Sequence, residues 1–270
     1  MLVPMKRLFS LLTVFYFAVV MPLQAAEKRL PLKGEVFLIQ ERTAFLILPE
    51  KPKTDKPIPW VWYAPTLSGL PSNSEKWMFE RFLKEGIAIA GVDVGESYGS
   101  PKGRAVYTAL HEHLVKKRGL AKEACLLGRS RGGLMLYCWA VENPEKVRCI
   151  TGIYPVCNIA SYPGLKRACG AYGLTAEQLE AELSKHNPID RLAPLAKAKV
   201  PIFHIHGDKD STVPLDKNSA LIKERYDKLG GSMTLEIVKG QGHNMWLGWF
   251  QSQNLVDFVI TNVKMPNRNP

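Results

Sequence analysis

The chain has 270 residues, 46% of them hydrophobic and 23% charged, enough to bury a sizeable core as one α/β domain. This composition excludes a disordered tail, a collagen and a short disulfide scaffold. Thirty-six Lys and Arg against 25 Asp and Glu leave a charge of +11, which favours acidic polymers or anionic surfaces without naming one. The basic residues are scattered among acids and form no block, so no nucleic-acid partner is expected; solvated helix faces account for the charge equally well.

At the N-terminus, Lys6 and Arg7 precede an apolar run from Leu8 to Leu23, and Ala25 and Ala26 follow before Glu27-Lys28-Arg29. That order predicts a secretory signal peptide over residues 1–26, a secreted or periplasmic product, and no stable membrane association after cleavage. A retained N-terminal anchor is the alternative, because the run approaches the ~18 apolar residues of a spanning helix and Gln24 suits a processing site poorly. The folded domain is expected over residues 27–270.

From Glu35 onward, β-branched or aromatic runs alternate with amphipathic stretches, the pattern of repeated βα units. Strands are expected near 35–39, 44–49, 59–64, 87–93, 124–128, 149–153, 201–206 and 233–238. Apolar runs such as Gly86-Ile87-Ala88-Ile89-Ala90-Gly91-Val92 suit strands covered on both faces, so the eight-stranded sheet should be mostly parallel. Helices are expected at about 75–85, 103–117, 131–142, 216–229 and 250–263; the fourth presents Leu221, Ile222, Tyr226 and Leu229 on one face before Gly230-Gly231. From about 158 to 200 the rhythm breaks into turn signals and one helix over Ala176–His186, predicting a small insertion after the sixth strand. It reads as a cap over the sheet's carboxyl end or as an ordinary long connection.

Five cysteines occur at 125, 138, 149, 157 and 169. Three sit in apolar strand or helix stretches and read as buried thiols. Cys157 and Cys169 flank a turn-rich segment and are expected to form a bridge, two free thiols being the alternative. No spacing of Cys or His suits a metal, and no cofactor is implied.

Three motifs carry chemistry. Gly128-Arg129-Ser130-Arg131-Gly132 stands between an apolar strand and an amphipathic helix, where small residues allow a sharp turn that exposes the Ser130 hydroxyl. The strand Pro201–His206 runs into Gly207-Asp208-Lys209-Asp210-Ser211-Thr212-Val213-Pro214, a loop with two acids. Gly240-Gln241-Gly242-His243 then places a histidine in a glycine-rich loop before the last helix. Helix capping by Ser130 and a solvated loop histidine are the plain alternatives.

This order of nucleophile, acid and histidine resembles the α/β-hydrolase superfamily, over the chain from about Glu35 to the last helix. The resemblance implies an α/β-hydrolase fold with Ser130 as nucleophile, Asp210 as acid in the H-G-x-x-D-x-x-V-P pattern, and His243 as base. Asp208 is the rival acid, or a support of its loop through turn hydrogen bonds. His204 and His206 on one side of their strand, and His111 and His113 on a charged helix, read as structural. The family's oxyanion hole implies the backbone N–H of Arg131 as one donor. The other should come from the loop after the third strand; it lacks the family's His-Gly, and Pro65 has no N–H, leaving Leu67 or, second to it, Thr66.

Ser130-Arg131 also resembles the G-x-S-R-x-G motif of glucuronoyl esterases, over that motif alone, and favours an Arg131 side chain turned into the pocket. The acid after the seventh strand looks more like acetylxylan and feruloyl esterases and the catalytic domains of prolyl-oligopeptidase-like enzymes. The expected function is therefore a secreted serine carboxylic-ester hydrolase acting through an acyl-enzyme on an acylated polysaccharide or oligosaccharide. A prolyl-oligopeptidase-like serine peptidase stands second, since those enzymes usually carry a propeller not seen in these residues. A noncatalytic carbohydrate-binding protein on the same fold is the third reading. Glu96, Tyr98 and Trp246 are candidate substrate contacts, surface solvation and ordinary aromatic packing being the alternatives. The sequence leaves the oligomeric state open.

Overall fold

The computed structural model describes residues 28–50 and 57–265; the expected leader at 1–26 lies outside them. Eight strands form one sheet: β1 (Glu35–Ile39), β2 (Arg42–Ile47), β3 (Trp60–Tyr63), β4 (Ala88–Val92), β5 (Ala124–Arg129), β6 (Val147–Ile153), β7 (Ile202–Gly207) and β8 (Met233–Val238). Their spatial order is β1-β2-β4-β3-β5-β6-β7-β8. β2 pairs antiparallel with β1 and β4, and every pairing from β4 through β3 to β8 is parallel. This is the α/β-hydrolase fold, with a mostly parallel eight-stranded sheet flanked by helices.

The long apolar runs are explained by two-sided burial. Residues alternate between faces along a strand, so in β3 Trp60 and Trp62 join one core cluster while Val61 and Tyr63 join the other. The first cluster packs beneath α2 (Pro101–Arg118), α3 (Arg131–Ala140) and α8 (Ser219–Lys228), and the second beneath α1 (Lys76–Lys84) and α10 (Gln253–Lys264). In α8, Ile222 and Tyr226 are fully buried, whereas Leu229, beyond the last helical residue, is 48% exposed. The expected last helix is α10, started by Ser252, whose side chain accepts the Leu255 N–H; a short α9 (Leu247–Phe250) precedes it.

Between β6 and β7 run α4 (Leu165–Tyr172), α5 (Ala176–Ala181), α6 (Leu183–His186) and α7 (Ala193–Lys197). Gly173 closes α4 in a left-handed conformation, and Thr175 with Gln178 forms a reciprocal capping box on α5, each satisfying otherwise orphaned backbone groups. Ala168 and Leu179 pack with Tyr98, Leu134, Val156 and Val213, so α4 and α5 sit against loops that follow β4, β6 and β7. The Tyr172 hydroxyl secures the contact by donating to the Tyr98 carbonyl at 2.8 Å.

The expected Cys157–Cys169 bridge is absent, and both thiols are free. Cys157 lies in the large core cluster and donates to the Pro155 carbonyl, while helix α4 carries Cys169 to a half-buried position where its thiol faces the Lys166 carbonyl. The turn-rich segment turns over 159–163 and runs into the first turn of α4, whose packing takes the place of a covalent staple.

Candidate active site

The elbow at Ser130 is built by close approach. A Cβ on Gly128 would fall 2.6 Å from the Gly133 Cα, one on Gly132 2.8 Å from the Ala64 carbonyl oxygen, and one on Gly133 2.5 Å from Pro155 Cβ. Glycines therefore let α3 start hard against β5 and its neighbours. Ser130 itself adopts φ 49° and ψ −125°, a costly conformation for a residue with a Cβ. Backbone bonds hold it there: its N–H donates to the Ile153 carbonyl, and its carbonyl accepts from Gly133 and Val156.

The strained turn aims the hydroxyl at His243, with Ser130 Oγ 2.9 Å from Nε2. His243 Nδ1 lies 2.8 Å from Asp210 Oδ2. The other carboxylate oxygen accepts from the Thr212 and Val213 N–H groups at 3.0 and 2.8 Å. Burial alone would raise the pKa of this carboxyl, but the hydrogen bonds from His206, His243 and Val213 prevail and hold it well below the usual carboxylate range. Asp210 is thus an anion that only accepts, which places the His243 proton on Nδ1 and leaves Nε2 to accept from Ser130.

Asp208 does not face the imidazole. Its side chain accepts the Gly240 N–H at 2.7 Å, and the Lys209 N–H donates to the Gln241 carbonyl at 2.9 Å. These bonds tie the loops after β7 and β8 together. Gly207 permits the approach, since a Cβ there would lie 2.1 Å from the Gln241 oxygen.

Of the expected oxyanion donors, Arg131 and Thr66 meet at one corner. Arg131 is the first residue of α3, so its N–H has no acceptor within the helix. Thr66 lies against this first turn, its Cγ2 3.6 Å from the position of a Cβ on Gly132, while Leu67 is 58% exposed. The Arg131 side chain does not turn freely into the pocket. Its guanidinium is ion-paired with Glu96 and stands 3.5 Å from the Thr66 carbonyl oxygen. Tyr98 is 7% exposed, with a backbone φ of 47°, and packs in the cluster beneath α4 and α5, which leaves its ring little face for stacking on a sugar. Trp246 is 42% exposed and stands edge-on to Trp249.

Three contributors have no counterpart in the sequence reading. Tyr154, at φ 35°, places its ring 4.4 Å from that of His243. Arg129 pairs with the fully buried Glu75 at 2.8 Å, stands 4.9 Å from the Phe250 ring, and donates to Met245 Sδ, two residues beyond His243. Burial works against its charge, but Tyr154, Tyr63 and Glu75 more than offset this and raise its pKa. Glu75 also accepts from Tyr63 and from both the N–H and hydroxyl of Ser72. The Ser72-x-x-Glu75 spacing, a capping-box signature, was the available signal.

Two more buried histidines stand behind Asp210. Burial, then the neighbouring His206, lowers the pKa of His204 from 6.5 to about 3. His204 is therefore neutral in the fold yet protonates near 6.5 once unfolded, so its contribution to stability is intact above pH 6.5 and is lost as pH falls toward 3. Urea unfolding at pH 7 and pH 4.5 should differ by about 2 kcal/mol from this group alone, given about 1.4 kcal/mol per pH unit. Equal stability at the two pH values would show that the folded protein protonates His204 freely.

Residues 107–259 match the prolyl oligopeptidase family. The chain belongs to the prolyl oligopeptidase family. No curated protein matches it. Among solved structures, this family member resembles a puromycin-hydrolysing peptidase of Mycobacterium tuberculosis at 15% identity and a TM-score of 0.67, over 88% of this chain and 40% of that one. It resembles Est1E from Butyrivibrio proteoclasticus at 16% identity and a TM-score of 0.64, over 86% and 99%. A truncated carbohydrate esterase from gut microbiota matches at 14% identity and a TM-score of 0.63, over 82% and 91%. The chain thus spans 40% of the peptidase and nearly all of each of the last two. At such identities the likeness is one of fold. The family member is a serine hydrolase of the α/β-hydrolase superfamily.

Proposed function

We propose that the protein is a secreted carboxylic-ester hydrolase that removes acyl groups from polysaccharide or oligosaccharide through an acyl-enzyme on Ser130. The unbroken hydrogen-bond line from Ser130 through His243 to Asp210 carries this reading. His243 takes the serine proton as Oγ attacks the ester carbonyl, Asp210 stabilises the imidazolium, and the same proton goes to the departing alcohol. Water then repeats the sequence in reverse on the acyl-enzyme. The oxyanion is held by the Arg131 N–H together with an N–H of the Thr66–Leu67 turn. The likeness to a carbohydrate esterase over most of its length supports the ester reading. The packing of α4 and α5 against the loops after β4, β6 and β7, and the exposed Trp246 close in sequence to His243, support a carbohydrate substrate. The family match supports a second reading, hydrolysis of small peptides by the same three residues.

Kinetics on aryl acetates, methyl ferulate, a glucuronate ester and proline-containing aryl amides separate the two. The ester reading expects kcat/KM on the best ester to exceed that on the best amide by at least about 10³-fold, the scale that marks a specific substrate; the reverse order overturns it.

Arg131 tests the polar end of the substrate. Its charge is engaged by Glu96, whose side chain is 45% exposed, so the pair opens readily to a competing anion. Arg131→Ala should leave a neutral acetyl ester within about threefold of wild type and cost a uronate ester about tenfold in kcat/KM, the worth of one charge-assisted contact. Equal loss on both esters would mean that the guanidinium supports the oxyanion.

A further inference from the structure

Behind Asp210, four polar side chains from three elements form a buried chain that the proposed mechanism does not use. The Tyr137 hydroxyl on α3 is 2.8 Å from His204 Nε2. His204 Nδ1 is 2.9 Å, and His206 Nδ1 2.8 Å, from the Ser219 hydroxyl at the start of α8. His206 Nε2 is 2.9 Å from the Val213 carbonyl oxygen and 3.4 Å from Asp210 Oδ2. His204, His206 and Ser219 are fully buried and Tyr137 is 1% exposed.

The hydrogens of this chain can be placed by elimination. A carbonyl oxygen only accepts, so His206 Nε2 carries a proton. Ser219 has one hydroxyl hydrogen for two imidazole nitrogens. If it donates to His206 Nδ1, then His204 Nδ1–H donates to Ser219, His204 Nε2 is a bare acceptor, and the Tyr137 O–H fills it. Both imidazoles are then neutral and every polar hydrogen has an acceptor. In the opposite arrangement His206 is an imidazolium, Ser219 donates to His204, and His204 Nε2–H points at the Tyr137 oxygen. The phenol hydrogen would then need another buried acceptor, a cost that the first arrangement avoids.

We infer that Tyr137, His204, Ser219 and His206 are positioning residues that lock His206 as the neutral Nε2–H tautomer and aim that N–H at the turn holding the Asp210 carboxylate. This rests on the triad reading above. The N–H of His206 donates to the carbonyl of Val213, whose own N–H holds one Asp210 oxygen, and its nitrogen stands 3.4 Å from the other, the oxygen that faces His243. The positive end of this N–H keeps the carboxylate from rotating and from concentrating its whole charge on the imidazole. The titratable groups facing the chain are His243 across Asp210, Tyr154 from the end of β6, Cys157 from the loop beyond it and Tyr226 from α8.

The direct test is nitrogen NMR of the imidazoles in the full protein at pH 7.5. The expected spectrum has His206 protonated at Nε2 alone and His204 at Nδ1 alone; an imidazolium at His206, or the reversed tautomer at His204, overturns the inference. The functional test pairs His206→Leu with His206→Gln. Loss of the N–H leaves more charge for the His243 imidazolium, so His206→Leu should move the acidic limb of kcat/KM to higher pH and lower its plateau about tenfold, the scale of one hydrogen bond to a charged group. His206→Gln, which keeps an N–H, should restore the limb. An unmoved limb in a folded His206→Leu protein would overturn the positioning role. If that variant does not fold, Tyr137→Phe supplies the test: Ser219 still requires the proton on His204 Nδ1, so the His204 Nε2 nitrogen signal should shift to that of a bare nitrogen without a donor while the tautomer stays. An unmoved Nε2 signal, or a proton transferred to Nε2, overturns the chain. Fluorophosphonate labelling of Ser130 in wild type keeps the outcomes separable: its failure sinks the hydrolase reading, whereas the tautomers are read without turnover.

Discussion

Ser130→Ala is expected to lower kcat on any ester by on the order of 10⁶-fold, the scale on which a triad serine acts, while leaving the fold intact. The bonds that hold the elbow run through the backbone of residue 130, to Ile153, Gly133 and Val156, and alanine keeps all of them. It also keeps the positive φ and its strain, so the melting temperature should stay within a few degrees of wild type. What disappears is the Oγ standing 2.9 Å from His243 Nε2. Mass spectrometry of fluorophosphonate-treated wild type should find the adduct on Ser130 and none in the variant. An adduct on another serine, with turnover retained, would mean that the nucleophile lies elsewhere.

Asp210→Asn should reduce kcat by on the order of 10³ to 10⁴, through the tautomer of His243. The Thr212 and Val213 N–H groups both point at Oδ1, and they will hold the carbonyl oxygen of the asparagine there. Its NH₂ then faces His243 Nδ1, which must give up its proton to accept. The proton moves to Nε2, and the imidazole can no longer take one from Ser130. Asp208→Asn is the control. Its bond is to the Gly240 N–H, which an amide oxygen also accepts, so activity should stay within about threefold of wild type. A loss at Asp208 as deep as that at Asp210 would show that the tie between the β7 and β8 loops, not the charge on the acid, sets the rate.

Much of the fold was legible because a parallel sheet buried on both faces writes itself as short continuous apolar runs, as at Ala88–Val92 and Ala124–Arg129. The exchange of β3 and β4 in the spatial order leaves no such trace, since pairing partners are chosen by long-range closure. The elbow was legible from Gly128-Arg129-Ser130-Arg131-Gly132 because steric demands at a tight turn act on neighbours in sequence. The buried support was not. Glu75 and Arg129 are 54 residues apart, and an isolated glutamate at the start of a helix reads as a solvated cap. His204 and His206 looked structural for a similar reason: period-two spacing reveals a shared face but not the Ser219 and Tyr137 groups that meet them. The bridge expected between Cys157 and Cys169 failed because proximity along the chain was taken for proximity in space, and a helix intervened.

The Glu75–Arg129 pair restricts the routes by which this active site can change. Tyr63, Ser72, Met245 and Phe250, drawn from both sides of the pocket, all touch one or other member. Replacing either partner alone leaves a buried charge without its opposite, a loss of about 3–5 kcal/mol and a large share of the stability of any domain. Replacing both with apolar residues of matching volume can be nearly neutral. The two viable states are therefore separated by a valley that single substitutions do not cross, and lineages that depart from the pair should do so at both positions together. Libraries built to reshape the pocket one codon at a time will find the floor beneath Ser130 and His243 immovable, and variation will collect instead on the loops around its mouth.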